Sequence, residues 1–582
     1  MEQYKYFIKK VHLKNGEPFE PGRINVFVGA NNCGKTQLLK DMLSYITGKN
    51  GEHVVLDKLD IPYPDSWDAM EQAYKMNVVE TTNGLQLRNI SPTLDKDPSG
   101  PSHHELRKTL DLWLQNDLRQ FRSGTGSGFV TYLNTDNRLK LAMGQSVQKD
   151  LHKRGAKNVL EALYEAGASA TEKVRACIKS IFDTDIYLDC SNLGMIQYRV
   201  GKDFSSIPEN PQAAYERLAE YAELDDQGDG LRSVVGIITA IISLKKPIIL
   251  LDEPEAFLHP PQALQLGKII SSLIDDSQQI FVATHSADFL RGLLGTTKDS
   301  MIIHLDRTQN DITEAKPLDS TALNQIITDP LLSSSRVLEG MFYKGVVATE
   351  ADADATFYQR LFQKIGASNE IHFLHTPGKQ ALKKVISPYQ KLGIKFAVIA
   401  DADVIRETSD VNALLNLTSD QQIKDEILME RTEVLNYFQT LSKYDRLVKI
   451  QTELQVLVSQ ELLSPDSKPE EIEKKLTAYR SKLGKLKNES DDLSKLKECG
   501  RDAFDNDAQK HFDKLCDLCS SIGLFVVWVG ELESWLVDYG IERTSNKPKW
   551  IVDALTKVYD IEPDRDKAIW KFVYSLKDFL LR

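Results

Sequence analysis

The residues between positions 26 and 39 form a pattern suited to binding phosphate. An apolar stretch runs into GxxxxGKT, and an amphipathic helical pattern follows. In such a loop the glycines leave backbone N–H groups free to surround phosphate oxygens, and the helix dipole adds to their attraction. Lys35 is expected to reach the β and γ phosphates, and the Thr36 hydroxyl to bind Mg²⁺. The residues predicted to contact a nucleoside triphosphate here are Gly29, Asn32, Gly34, Lys35 and Thr36.

Two later stretches carry the polar groups that a nucleotide site needs. Residues 246–255 read as a buried strand that ends in two acids. Asp252 is expected to hold the Mg²⁺ shell through water, and Glu253 to orient or deprotonate the attacking water. Residues 279–286 form another apolar strand with a polar end, where His285 could touch the γ-phosphate and report its loss. The order of these stretches favours this function over that of an ordinary structural histidine.

Acids also follow apolar strands in the second half of the chain. Glu350 and Asp354 come after a short apolar run, and Asp401 and Asp403 follow a second one. Because parallel strands present their carboxyl ends at one edge of a sheet, these acids are expected to converge. Clustered oxygen ligands are what Mg²⁺ requires, and without a metal their mutual repulsion is costly. The pattern therefore predicts a divalent-metal site.

Composition sets limits on the class of protein. At 582 residues the chain is expected to hold two or three domains. It has no apolar run of membrane-spanning length and no secretion signal at its start, so a cytoplasmic protein without a membrane partner is expected. The net charge of -12 argues against a uniformly basic protein that coats nucleic acid, although local basic grooves or bridging metal could hold DNA.

The six cysteines fit a reducing compartment. Cys516 and Cys519 form a CxxC pair in a helical pattern over 507–522, with Cys499 and His511 nearby. A zinc site would want a second close pair, so packing of apolar thiols is favoured over zinc.

Helical patterns mark two insertions. Residues 150–166 and 170–182 are predicted helices of an insert, about 148–220, in the ATPase half, whereas 50–125 read as irregular with short strands. Residues 419–500 read as an antiparallel helical hairpin broken at 464–469. The charge runs of this hairpin suit a solvated face, and a lever or partner-docking arm stays open.

The first half resembles the ATP-binding cassette (ABC) ATPase superfamily, in the branch shared with DNA-repair and chromosome-maintenance proteins. The resemblance rests on the phosphate loop, on residues 250–260 and on 284–286. The signature loop of that family is similar to residues 226–233, with Gly228 and Gly230, although its form departs from the standard one. In this superfamily the signature of one protomer closes on ATP bound to another, which implies at least a dimer.

The second half resembles the Toprim fold of topoisomerases, primases and certain nucleases. That fold carries a glutamate after its first strand, similar to Glu350, and Asp-x-Asp after a later one; the usual glycine after the glutamate is alanine here. Residues 530–533 resemble the Gly-Asp-Leu-Glu element of nuclease-type Toprims, with Glu531 in place of aspartate and Glu533 as its last residue. A catalytic lysine tends to follow in those enzymes, so Lys547 or Lys549 is a candidate.

The two motif sets in this order resemble the overcoming-lysogenization-defect (OLD) nuclease family, which includes the Gabija nuclease subunit and effectors of retron reverse transcriptases. The resemblance implies an α/β chain with an N-terminal ABC-type P-loop ATPase domain, about 1–335, with a helical insert. A C-terminal Toprim domain, about 336–582, has a Rossmann-like parallel sheet and the helical hairpin insertion. It also implies ATP, and Mg²⁺ or Mn²⁺ as a pair of ions about 4 Å apart. The residues expected to hold and use these ions are Glu350, Asp354, Asp401, Asp403, Glu531 and Glu533.

The function that follows is a DNA endonuclease of anti-phage defence, forming a dimer or tetramer through its ATPase half. One alternative is a nucleotide-driven scaffold with a structural acid cluster. A related one is an effector that cuts only with a partner, either helicase-like or a retron reverse transcriptase with its RNA. A topoisomerase or primase reaction is disfavoured, because no room remains for a tyrosine domain and a primase gains little from such an ATPase.

Overall fold

The structure is a computed structural model, and it divides the chain into two compact units. Residues 1–343 with 391–393 form the first unit, and residues 344–390 with 394–582 form the second. The first unit thus ends at residue 343, eight residues after the boundary expected at 335/336, apart from residues 391–393. The residues that the structure describes are 4–49, 51–66, 68–69, 78–81, 84–87, 103–147, 156, 158–192, 194–295, 299–307, 312–318, 326, 329, 335–376, 379–440, 443–459, 472–480, 483, 494–544 and 547–581.

The first unit is built on a mostly parallel sheet. Its described strands are β1 (Lys10–Leu13), β2 (Ile24–Val28), β3 (Leu56–Asp60), β4 (Val78–Thr81), β5 (Gly84–Leu87), β6 (Val130–Leu133), β7 (Gln145–Ser146), β8 (Asp185–Asp189), β9 (Met195–Gly201), β10 (Ala222–Glu223), β11 (Ile248–Asp252), β12 (Gln279–Ala283), β13 (Ser300–Arg307) and β14 (Thr313–Pro317). The main sheet has the order β14-β13-β2-β12-β11-β6. Only β14 pairs antiparallel among these described strands. The carboxyl ends of β2, β11 and β12 therefore lie at the same edge.

Helices cover this sheet and begin where the sequence supplies caps. The described helices are α1 (Lys35–Ile46), α2 (His103–Asn116), α3 (Leu118–Thr125), α4 (Thr135–Leu141), α5 (Val159–Ala166), α6 (Ala168–Phe182), α7 (Pro211–Leu218), α8 (Asp229–Leu244), α9 (Pro260–Leu273), α10 (Ala287–Leu294) and α11 (Ser335–Glu339). Asn158 caps α5 by accepting from the Glu161 N–H, and Ser286 caps α10 in the same way. Residues 233–244 of α8 are all buried, which explains its nearly continuous apolar sequence.

Two regions of the first unit differ from the sequence analysis. The region 148–220 was expected to be helical, but besides α5, α6 and α7 it holds the antiparallel strands β8 and β9. Both strands are buried along most of their length, so their burial does not alternate as it does in a half-buried strand, and the sequence analysis missed them. Residues 103–125, expected to be irregular, form α2 and α3.

The second unit has a parallel sheet of its own. Its described strands are β15 (Gly345–Thr349), β16 (Ile371–His375), β17 (Lys395–Asp401) and β18 (Leu524–Val527), in the order β16-β15-β17-β18. All three pairings between these strands are parallel. Its described helices are α12 (Asp352–Lys364), α13 (Lys379–Lys391), α14 (Thr408–Leu414), α15 (Gln421–Thr440), α16 (Lys443–Val458), α17 (Ser494–Cys499), α18 (Asn506–Ser521), α19 (Lys547–Asp560) and α20 (Ala568–Leu581).

The aromatic core of this unit lies between the sheet and its helices. Buried aromatic side chains from α12, α19 and α20 pack against β18. The order of the strands brings the ends of β15, β17 and β18 side by side. The acids that follow these three strands, beginning with Glu350, Asp401 and Glu531, are therefore expected at one edge of this sheet.

The predicted hairpin region contains α15, α16, a helical stretch at 472–480 and α17. Its expected break at 464–469 lies outside the described residues. Among the described residues, no helix combines the length and the apolar character needed to cross a membrane.

The helix α15 is fixed to α18 by a buried carboxylate. Glu430 is 2% exposed and accepts from His511 Nδ1 at 2.7 Å and from Lys514 Nζ at 2.6 Å. Burial disfavours the charge, but the interactions with Lys514 and His511 outweigh it and lower the pKa of Glu430. Residue 430 therefore joins the start of the insertion to the Toprim-like sheet's helices.

We expect Glu430→Ala to destabilise the second unit by about 2 kcal/mol, because hydrogen bonds to a charged group contribute that much. Urea unfolding of the full chain, followed by tryptophan fluorescence, measures the shift. Asp425→Ala, an exposed acid on the same helix, is the matched control. Equal midpoints for the two variants would show that the Glu430 contacts contribute nothing.

Candidate functional site

The phosphate loop is already shaped around its lysine. Gly29 (φ 138°), Asn32 (φ 64°) and Gly34 (φ 103°) take left-handed conformations, which turn the chain from β2 into α1. Lys35 is 5% exposed, and its Nζ donates to the carbonyls of Gly29 at 2.7 Å and Ala30 at 3.0 Å. Burial lowers the pKa of Lys35. The loop predicted from sequence therefore exists as a compact turn with its cation inside.

The two predicted Mg²⁺ partners of the nucleotide site are in contact. Thr36 Oγ1 donates to Asp252 Oδ1 at 2.8 Å, and the Tyr132 hydroxyl donates to Asp252 Oδ2 at 3.3 Å. Asp252 ends β11, and burial raises its pKa. Strands β2 and β11 thus deliver a hydroxyl and a carboxylate to one point.

The acids after β11 lie beside the polar end of β12. Glu253 takes a left-handed conformation (φ 47°), and its Oε1 lies 3.7 Å from His285 Nε2. Glu255 Oε1 accepts from Thr284 Oγ1 at 2.8 Å and from the His285 N–H at 2.7 Å. Burial, with a smaller effect of the charge of Lys35, lowers the pKa of His285 to about 4. His285 is therefore neutral at pH 7 and held next to Glu253.

A buried arginine supports this turn and was missed by the sequence analysis. Arg138 donates to the carbonyl oxygens of Asp252 and Glu253, each at 2.7 Å, and is fully buried. These two bonds fix the backbone where Glu253 adopts its left-handed conformation. No sequence signal indicates the role, because a single arginine in a short amphipathic helix normally suggests a surface residue.

The two glycines of the predicted signature loop differ in their surroundings. Gly230 needs its small size, since a Cβ there would lie 2.7 Å from the Phe257 carbonyl oxygen. Gly228 precedes α8 with φ −62°, and a Cβ there would meet no heavy atom within 4 Å. The fold of this chain therefore explains the glycine at 230 but not the one at 228.

The second unit gathers four carboxylates at the edge of its sheet. Glu350 follows β15, Asp354 lies in the first turn of α12, Asp401 ends β17, and Asp403 follows in a short 3₁₀ helix. Burial, followed by the charges of Asp354, Glu350 and Asp403, raises the pKa of Asp401 to about 7. These side chains therefore lie close enough to act on one another, as the strand ends predict.

The third strand end adds two more acids. Glu531 and Glu533 follow β18, and Glu533 is 3% exposed. Burial, together with the charges of Asp354, Asp401 and Glu533, raises the pKa of Tyr358. The Tyr358 hydroxyl accepts from Trp535 Nε1 at 2.8 Å, which ties α12 to the loop of Glu533. Glu533 therefore lies near the same tyrosine as Asp354 and Asp401, two of the four carboxylates described above.

These carboxylates are neighbours rather than a finished coordination shell. Within the described ranges, no three His, Cys, Asp or Glu side chains are grouped in a way that could hold a metal ion. The two lysines expected to serve the site lie at the start of α19, where Lys549 is exposed and the side chain of Lys547 lies outside the described residues. Both stay predictions.

The sequence analysis did not foresee the contacts that three basic residues make with acids near this edge. Lys497 Nζ lies 3.6 Å from Asp403 Oδ2 and 4.0 Å from Glu531 Oε2, and Arg543 pairs with Glu531 Oε1. His375, at the end of β16, places Nδ1 3.1 Å from Asp352 Oδ1. A motif search misses such groups because each comes from a different part of the chain.

The CxxC pair lies on α18 away from any second cysteine pair in sequence. Cys519 is buried, and burial raises the pKa of its thiol to about 12. A thiol that resists ionisation in this way favours core packing, as the sequence analysis expected.

Comparisons with known proteins agree with this arrangement of sites. Residues 134–290 match the family model described as AAA ATPase domain, which spans Asp252, Glu253 and His285. Residues 341–403 match the one described as overcoming lysogenization defect protein-like, TOPRIM domain. The predicted resemblance to the OLD family is confirmed, because an ATPase match precedes an OLD-like Toprim match. The predicted fold class is confirmed: an ATPase domain precedes a Toprim domain in a mixed α/β chain with parallel sheets.

Two curated relatives are similar to parts of this chain. The Old nuclease of Escherichia phage P2 is 27% identical over 168 residues, which cover 27% of this chain and 28% of that protein. The OLD nuclease of Thermus scotoductus is 25% identical over 253 residues, 40% of this chain and 47% of that protein. The matched regions thus span less than half the length of these relatives.

Among solved structures, the SMC head domain from Thermotoga maritima is similar with a TM-score of 0.29 and 13% identity, over 54% of this chain and 99% of that one. At that TM-score the likeness carries no argument.

The titration of Asp401 gives a pH dependence of stability. Its pKa is about 7 in the folded chain, and an aspartate in an unfolded chain titrates near ~3.9. Between these values the folded state binds more protons, so the free energy of unfolding falls as the pH rises. In EDTA, we expect the thermal midpoint of the unaltered chain to fall more steeply between about pH 5 and about pH 7.5 than that of Asp401→Asn.

Differential scanning calorimetry of both proteins at several pH values measures the two slopes. Asp566→Asn, at an exposed position distant in sequence from Asp401, should show the same dependence of the thermal midpoint on pH as the unaltered protein. Parallel curves for Asp401→Asn and the unaltered protein would mean that Asp401 is an ordinary surface acid.

Proposed function

We propose that this chain is an ATP-binding, divalent-metal-dependent DNA endonuclease of the OLD type, acting in anti-phage defence. The observation that carries the proposal is the crowding of carboxylates from separate strand ends, where burial and, after it, the charges of Asp354, Glu350 and Asp403 raise the pKa of Asp401 to about 7. A protein gains nothing in stability from such repulsion, so a ligand of opposite charge is its best explanation. The defence role rests on the family resemblance alone.

The donors of the acid cluster fit Mg²⁺ or Mn²⁺. All of them are carboxylate oxygens, the ligand type that these hard cations prefer. When bound, a pair of such ions would activate a water molecule and stabilise the leaving 3′ oxygen of a phosphodiester. The chain's own part would be to hold Glu350, Asp401 and Asp403 at neighbouring strand ends, with Asp354, Glu531 and Glu533 as the other expected ligands.

The first unit supports control by nucleotide. Lys35 lies inside a preformed phosphate loop, Thr36 and Asp252 touch, and a neutral His285 lies beside Glu253. The open space at Gly228 suits the approach of a phosphate bound to a second copy, so we expect a dimer or tetramer that assembles through the ATPase half.

A partner-dependent effector is the second candidate. Helix α16 exposes apolar side chains, with Leu447 at 59%, Val456 at 55% and Val458 at 83% exposed. Such a surface favours a partner protein, in line with the helicase-like or reverse transcriptase–RNA partners of the family. In that case the isolated chain would cut DNA only when the partner is added.

The nuclease proposal is tested with supercoiled plasmid DNA, Mn²⁺ or Mg²⁺, and ATP. We expect nicking by the unaltered chain, and a loss of about 100-fold or more in Glu350→Gln, since a neutral amide is a weaker ligand for a divalent cation. Glu562→Gln, an exposed position, is the matched control. Cleavage that persists in EDTA, or equal rates for Glu350→Gln and the control, would refute the mechanism.

Assembly is tested by analytical ultracentrifugation of Glu253→Gln, which should retain bound ATP. We expect ATP to shift it to a dimer or tetramer, and an added Gly228→Trp to prevent the shift by steric block while ATP binding by the monomer persists. Gly51→Trp is the control, because a Cβ at Gly51 also meets no heavy atom within 4 Å. If ATP still shifts the Gly228→Trp variant to a dimer or tetramer, Gly228 is not part of the interface.

A further inference from the structure

The helical insertion leaves and re-enters the second unit at the acid cluster. Asp403 lies shortly before the insertion, and Lys497 lies in α17, its last helix. Both ends of this long segment therefore meet the edge of the sheet where the carboxylates gather. An insertion that served only as an outward arm would have no need to place a charged side chain there.

At its start, the insertion holds the loop that carries Asp403. Arg431 of α15 donates through Nε to the Ile405 carbonyl at 2.6 Å and through a terminal nitrogen to the Arg406 carbonyl at 2.8 Å. The same guanidinium reaches Thr408 Oγ1 at 3.1 Å. Because Arg431 is 8% exposed, these bonds fix the backbone two to three residues after Asp403.

At its end, the insertion is packed directly on the loop that carries Glu531. A Cβ at Gly530 would lie 2.3 Å from the Lys497 carbonyl oxygen, and one at Gly500 would lie 2.1 Å from the Trp528 carbonyl oxygen. The Arg501 N–H also donates to the Trp528 carbonyl at 2.7 Å. Only glycines allow this approach, so the backbone of Lys497 is held at a fixed distance from Glu531.

The Lys497 ammonium then lies between acids from two different strand ends. It is 3.6 Å from Asp403 Oδ2 after β17 and 4.0 Å from Glu531 Oε2 after β18. Its positive charge also lowers the pKa of Asp401, against the effect of the neighbouring carboxylates. The side chain is 41% exposed. An ion pair so exposed contributes little to stability, so its placement calls for another reason.

We propose that the helical insertion supplies a cation to the acid cluster, and that this cation, Lys497, stabilises the phosphate being cleaved. The inference rests on the nuclease function proposed above. In the hydrolysis the water oxygen bonds to phosphorus, the bond from phosphorus to the 3′ oxygen breaks, and a water proton ends on that oxygen. The negative charge that grows on the non-bridging oxygens is what a fixed ammonium stabilises.

The test compares Lys497→Ala, Lys497→Arg, Lys549→Ala and Lys510→Ala in Mn²⁺-dependent plasmid cleavage. We expect Lys497→Ala to lower kcat about 100-fold with KM changed by less than about threefold, and Lys497→Arg to recover about tenfold of that loss. Lys510 pairs with Asp507 on an exposed face and is the matched control. An unchanged kcat for Lys497→Ala, with the loss found in Lys549→Ala instead, would overturn the proposal.

Binding of Mn²⁺ without DNA, measured by calorimetry, separates this role from a structural one. Removing a cation beside carboxylates should leave Mn²⁺ affinity equal or a few-fold tighter. Weaker Mn²⁺ binding together with a lower thermal midpoint would mean that Lys497 only holds the fold. If the unaltered chain does not cleave, the nuclease function fails and this inference with it. If the unaltered chain cleaves DNA while Glu350→Gln does not, the nuclease function stands, and the Lys497 variants then test the role of Lys497 alone.

Discussion

The repulsion between carboxylates at the edge of a parallel sheet is the constraint around which the second unit is arranged. Parallel pairing of β15, β17 and β18 sends all three carboxyl ends to the same side, and each end carries acids. Burial then makes every added negative charge more costly. Two cations partly offset this cost, because Lys497 and Arg543 both contact Glu531. Burial first, and the neighbouring carboxylates after it, still raise the pKa of Asp401, so these cations do not cancel the cost of its charge.

The first unit also places its site at the carboxyl ends of parallel strands, but there the charged groups are paired with other groups of the same site. The Lys35 ammonium is held by carbonyl oxygens of its own loop, and Thr36 already donates to Asp252. Arg138 lies beneath and bonds the backbone at Asp252 and Glu253. A nucleotide would therefore meet a site whose parts are in place. The acid cluster, in contrast, has its charges gathered but no assembled group of ligands among the described residues.

The sequence predicted the residues that follow apolar strands, because one topological rule places them. That rule brought Asp401 and Asp403 to the edge where Glu350 lies, and it brought Asp252 to Thr36. It could not predict Arg138, which bonds Asp252 across a separation of 114 residues and carries no motif. Nor could it predict Lys497, whose helix is defined by packing against Gly530. The strands β8 and β9 were missed because they are buried on both faces and lack the alternating burial of a half-buried strand.

The position of Lys497 changes how the insertion relates to the site. Packing between α17 and the loop of Glu531 holds the backbone of Lys497, so the base of this side chain shifts only if that packing shifts. Arg431 ties the first helix of the insertion to the loop after Asp403 in a comparable way. Since the insertion also exposes apolar side chains on α16, a protein bound there would act on a segment that holds the backbone after Asp403 at its start and contacts Asp403 and Glu531 at its end. Control by a partner would then need no contact between that partner and the carboxylates themselves.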